Sequence, residues 1–226
     1  MRSRWVPLTI LSVATLGLLG ALISLSVGEH REEQLTISGT GDVQELIGGI
    51  PQLGARLGEE DAPISLTLFT DAQCPHCAAY QLAVVDPLIE ERVRTGEASI
   101  ALRNFSLGAK EVTFGGIGVE AAAAQDHGWQ YLEMFMRNQD EAPTEGVTPE
   151  FLNEVAASTP RLDVTAWEQA NADPASEAAA KEDADLAVQL QLTADIAVNV
   201  QGPNGSELLE DAPSRETIDA AIARVG

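Results

Sequence analysis

The chain has 226 residues, and the part beyond its apolar leader suits one domain with a full core better than two. Its 35 acidic side chains against 13 basic ones give a formal net charge of -22, so the folded body repels phosphate backbones and anionic lipid headgroups. That balance argues against nucleic acid as a partner. The excess is densest between Asp140 and Asp185, where twelve acids face only Arg161 and Lys181. Such a run reads as a solvated helical face or as a patch that attracts basic substrates.

In chain order, Arg2 and Arg4 stand in a short N-terminus, residues 1–4, ahead of an uncharged apolar run at residues 5–27. About 20 residues of helix cross a bilayer core, so this run is expected to be a transmembrane signal anchor. With the arginines before it and Glu29, Glu32 and Glu33 after it, residues 1–4 are expected in the cytoplasm and the rest outside. A cleaved signal peptide is the alternative, with Ser24-Leu25-Ser26 a weak cleavage site.

Residues 28–60 mix charge, glycine and isolated apolar side chains and read as a tether, so the packed domain is expected over residues 61–226. Residues 64–70 are a short apolar run with β-branched and aromatic members, hence a strand. A helix is predicted from Pro75, with Tyr80, Val84, Leu88 and Ile89 at helical spacing, Gly96 as its stop and Pro87 as a kink. Residues 99–105 give a second strand, parallel to the first through a right-handed crossover. Helical stretches without strand signals fill residues 115–192, a helical insertion. A strand, turn, strand pattern comes next at residues 196–209, and Ser214 caps a last helix.

The chemistry lies in Cys74-Pro75-His76-Cys77, which contains both cysteines of the chain. Cysteines two residues apart close too small a ring to be an effective staple, which favours reversible thiol chemistry. Placed at the start of a helix, Cys74 has unpaired backbone N–H groups that favour its thiolate, so it is the expected attacking sulfur. Cys77 lies deeper by nearly one turn and is the expected resolving sulfur, with His76 tuning the Cys74 thiolate. A zinc site would need two more ligands, and only His30 and His127 remain as histidines, so no metal is expected.

The stretch Phe69-Thr70-Asp71-Ala72-Gln73-Cys74-Pro75-His76-Cys77, with Gly49-Ile50-Pro51-Gln52, Leu57-Gly58 and Ala62-Pro63, resembles the DsbA-like branch of the thioredoxin-fold oxidoreductases over residues 50–225. The resemblance implies an α/β thioredoxin-like fold with a helical insertion. It also implies oxidation of cysteine pairs in exported proteins through a mixed disulfide at Cys74, with no cofactor, and a quinone-linked membrane oxidase as the reoxidising partner. A reductase or isomerase of the same fold, or a binding or chaperone-like module, is the alternative. Asp71 also fits the pattern and is either a turn residue or a tuning residue.

Two departures stand out. Many relatives carry a buried carboxylate six residues before the first cysteine, where this chain has Leu68. The family's cis-proline falls at Ala194 within Leu192-Thr193-Ala194-Asp195-Ile196, leaving Thr193 and Ala194 as groove candidates. A cis bond before a non-proline residue costs about 2.5–4 kcal/mol, so a trans Thr193-Ala194 bond is expected.

Overall fold

The structure, a computed structural model, describes residues 35–109, 112–142 and 146–226. The expected anchor at residues 5–27, and the tether up to residue 34, lie outside the described residues. Among the described residues, no helix is long and apolar enough to cross a membrane.

The first described elements correct the reading of residues 28–60. Helix α1 (Thr40–Ile47) buries Val43, Leu46 and Ile47, a stripe at i, i+3 and i+4 that packs into the main core. Two short strands come next, β1 (Gln52–Leu53) and β2 (Arg56–Leu57). The packed body therefore reaches back well before Asp61. Three apolar positions between glycines are too few to announce a helix, and it is tertiary burial that stabilises it.

The predicted strand is β3 (Ile64–Thr70), and its period sorts its side chains onto two faces. Ile64, Leu66 and Leu68 enter the main core, whereas Phe69 points the other way into a second cluster with Phe105, Ala187, Leu192 and Ala197. Helix α2 (Pro75–Tyr80) continues in one run through Gln81–Val85, Asp86–Leu88 and Ile89–Val93, the first and last of these in wider π-type turns. Those turns flank Pro87, which lacks the backbone donor that a regular helix needs.

Strand β4 (Ala98–Asn104) pairs parallel with β3, as expected of a crossover through α2. The hairpin of β5 (Ala197–Gly202) and β6 (Gly205–Glu210) completes the sheet, β5 antiparallel to β3. The strand order is β1-β2-β4-β3-β5-β6. Register sets Thr70 beside Asn104 and Phe69 beside Ala197. The carboxyl ends of β3 and β4 and the amino end of β5 thus meet at one edge.

Between β4 and β5 lies the helical insertion: α3 (Phe114–Ala123), α4 (Gly128–Arg137), α5 (Pro149–Ser158), α6 (Val164–Asn171) and α7 (Pro174–Gln189). Its centre is aromatic, with Tyr131 stacked on Trp167 at 5.4 Å and Phe135 edge-on to Phe151 at 5.3 Å. Gly118 lets α3 approach closely, because a Cβ there would stand 2.7 Å from the Tyr131 hydroxyl. The last helix, α8 (Arg215–Val225), is capped as expected by Ser214, whose Oγ accepts from Thr217 N at 3.2 Å.

Candidate active site

Cys74 sits where β3 gives way to α2, and the loop between them is held from several sides. Asn104 Oδ1 accepts from Ala72 N at 3.0 Å, and Asn104 N in turn donates to Asp183 Oδ2 of α7 at 2.9 Å. Gln73 Oε1 accepts from Gly115 N at 2.8 Å, and Gln139 Nε2 donates to the carbonyls of Ala72 and Cys74. The insertion thus supports the loop that carries the cysteines. None of these supports is local in sequence.

Cys74 is the N-cap of α2, with extended backbone, and its Sγ accepts from Cys77 N at 3.3 Å. The Cys74 sulfur thus faces the backbone N–H groups of the first helical turn. The two cysteines are free thiols in this structure, Cys74 half-buried and Cys77 buried. Burial, helped by the bond to Cys74, pushes the Cys77 thiol up to about 12, so it holds its proton at neutral pH. Cys74 is thus the less buried of the two.

His76 is exposed on the first turn of α2, with Nδ1 3.2 Å and Nε2 3.4 Å from Cys74 Sγ. Nε2 also lies 3.3 Å from Asp195 Oδ2. The donor atoms of Cys74, His76 and Cys77 all lie within 4.8 Å of one another, three of the four ligands a tetrahedral metal site takes.

Asp71 is buried, and its Oδ1 accepts from Gln73 N at 2.9 Å, which is the turn role open to it. Burial raises its carboxyl above the ordinary range, against the pull of the Gln73 N–H and the Ser106 hydroxyl. It also feels Asp195 and His76, so it belongs to the same charge cluster. Leu68 is buried in the main core, and no carboxylate takes its place on β3.

The Thr193–Ala194 bond is trans, as none of the described peptide bonds is cis. Thr193 N and Oγ1 both donate to Glu210 Oε2, at 2.7 and 3.0 Å. Ala194 is half-buried. The loop meets the site through Asp195, which sequence reasoning passed over. An acid directly after the proline-equivalent position was the available signal. Phe114, also unforeseen, is exposed next to Gly115, the residue that anchors Gln73.

A second unforeseen group lies one turn beyond Cys77. Gln81 Nε2 donates to the fully buried Glu133 Oε1 at 2.7 Å, while Arg137 pairs with Asp86 and reaches Glu133 Oε2 at 3.3 Å. Burial first, then Asp86, pushes the Glu133 carboxyl up to about 8. A carboxyl raised above its unfolded value favours the fold fully below the unfolded value, and that gain is lost as pH rises through the folded one. Between pH 6 and 9 the wild type is therefore expected to lose about 2–3 kcal/mol that Glu133→Gln does not lose. Urea midpoints at both pH values check this, and parallel pH slopes for the two proteins would refute it.

A buried and a half-buried thiol across one helical turn, where the ends of β3, β4 and β5 meet, define a thiol-disulfide oxidoreductase of thioredoxin-like fold. The family model described as Thioredoxin matches residues 53–203, two thirds of the chain, and the chain belongs to that family. It is 28% identical over 149 residues to the probable disulfide bond formation protein D of Bacillus anthracis, covering 65% of this chain and 69% of that protein. Across the curated relatives that it matches, the chain spans 51–69% of their length. Among solved structures, oxidised BdbD of Bacillus subtilis is similar with a TM-score of 0.65 at 19% identity, covering 77% of this chain and 95% of that one. The α-DsbA1 of Wolbachia pipientis gives 0.62 at 17% identity, covering 76% and 89%. The DsbA-like resemblance is borne out, and with it the thioredoxin-like fold and its helical insertion.

Proposed function

We propose that this chain oxidises cysteine pairs in exported proteins, with Cys74 as the exchanging sulfur and Cys77 as the resolving one. The observation that carries the reading is the asymmetry of the pair: a half-buried Cys74 whose sulfur accepts a backbone N–H, beside a Cys77 thiol held protonated by burial. Anything that favours the Cys74 thiolate stabilises the dithiol over the disulfide, and so makes the disulfide the stronger oxidant. His76 adds to this from the solvent side, and Asp71 shapes the turn that presents Cys74.

Arg2 and Arg4 before the apolar run, and Glu29, Glu32 and Glu33 after it, support a single-pass anchor at residues 5–27 with the catalytic domain outside the cytoplasm. There a membrane quinone-linked oxidase is the reoxidising partner, and the Cys74 thiolate attacks that partner's disulfide. Ala194 and Thr193 leave the substrate groove without the usual proline, and Phe114 is an exposed apolar side chain beside Gly115, which anchors Gln73.

Equilibration with reduced and oxidised glutathione tests the direction of transfer. A potential more positive than about -200 mV is expected, whereas a value near about -270 mV, that of thioredoxin, would replace the oxidase reading with a reductase.

A further inference from the structure

We propose that Asp195 is a positioning residue for the redox pair, holding the His76 imidazole against Cys74 and so making the disulfide more oxidising. The proposal rests on the oxidoreductase reading above. Asp195 reaches the site from the loop before β5, at the sheet edge where β3, β4 and β5 meet, and it is 119 residues from His76 in sequence.

The geometry divides the two ring nitrogens. Both lie within reach of Cys74 Sγ, but only Nε2 faces Asp195 Oδ2, at 3.3 Å. Nε2 stands against the carboxylate, and Nδ1 is the nitrogen nearer the sulfur, at 3.2 Å. A neutral imidazole has one N–H and serves one of these acceptors, whereas the imidazolium serves both. Asp195 and Cys74 together hold the ring where it can donate to the sulfur. A His76 side chain 64% exposed has room to swing away, and Asp195 restrains it.

Asp195 also carries a negative charge of its own, which repels the same thiolate. Coulomb energy falls with distance, and a ring nitrogen stands 3.2 Å from the sulfur, so a donor there outweighs the repulsion. Asp71 is the other acid facing both His76 and Asp195, but it is buried and tied to Gln73 N. Thr193, the nearest polar neighbour on the Asp195 loop, is committed to Glu210.

The effect falls on a definite step. A substrate thiolate attacks Cys74 Sγ, the Cys74–Cys77 bond breaks, and Cys77 departs and takes up a proton. A second substrate thiolate then attacks the substrate sulfur of the mixed disulfide and expels Cys74 as thiolate. Two electrons have passed from the substrate dithiol to the protein. Asp195, through His76, lowers the cost of the second departure.

The test is the glutathione equilibrium of the full chain at neutral pH, for the wild type, Asp195→Asn, Asp195→Glu, His76→Ala and the double variant His76→Ala/Asp195→Asn. Asp195→Asn is expected to move the equilibrium about 3- to 5-fold toward the protein disulfide, a size set by the exposure of the pair. The shift shrinks in about 1 M salt, Asp195→Glu stays close to the wild type, and Asp195→Asn adds nothing in the His76→Ala background. No shift, a shift of the opposite sign, or an equal shift with and without His76 overturns the proposal. A wild type at a reductase potential defeats the oxidase reading instead, and the comparison of variants still decides the role of Asp195.

Discussion

Cys74→Ser is expected to lower disulfide transfer by about a thousandfold or more, because a hydroxyl neither forms the mixed disulfide nor leaves as a stable anion. The protein should stay folded, since serine keeps a half-buried polar cap at the start of α2. Cys77→Ala should behave differently. It leaves Cys74 exposed to exchange and removes the sulfur that would release the mixed disulfide, so substrate adducts accumulate through Cys74. Non-reducing gels of a strain carrying each variant give the comparison, and the trapped proteins identify the substrates. Equal rescue of a disulfide-deficient strain by wild type and Cys74→Ser would remove the enzyme reading.

Trp167→Ala is expected to cost about 3–5 kcal/mol, a large share of the roughly 5–15 kcal/mol that holds a domain together. Trp167 is fully buried on α6, stacks on Tyr131, and its Nε1 donates to Gly118 O at 2.9 Å. Truncation empties a large cavity and leaves a buried carbonyl without its donor. The glycine on α3 that admits Tyr131 so closely has no side chain with which to refill the space. Urea denaturation followed by far-UV circular dichroism measures the loss, and Trp167→Phe should recover about half of it. A loss under about 1 kcal/mol would mean that the aromatic centre of the insertion repacks.

Much of the fold is legible in the sequence because it is periodic or punctuated. The strand at residues 64–70 and the cysteine pair at the start of a helix obey short-range rules, as β3, α2 and the Cys74 cap do in the structure. The insertion is readable from helical spacing and from caps such as Thr148 and Asp163. Helix α1 is not, because its eight residues lie between glycines and gain their stability from the core they touch. Glu133 is not, because an acid within a helix reads as a surface residue until the elements around it are known. Asp195 is not, because its partner lies across the fold and no local pattern joins the two. The acidic run from Asp140 to Asp185 proves mixed: Asp183 is buried, holds Arg103 at 2.8 Å and supports Asn104.

The hydrogen bonds on the loop of Cys74 have a meaning for modularity. Gln139 and Gly115 belong to the insertion, and Asp183 acts from α7 through Asn104, so the reactive turn is moulded by chain that lies well outside β3, α2 and β4. The redox centre and the helical insertion are one machine part. A trimmed version that joined β4 directly to β5 would keep both cysteines and lose the mould that shapes them.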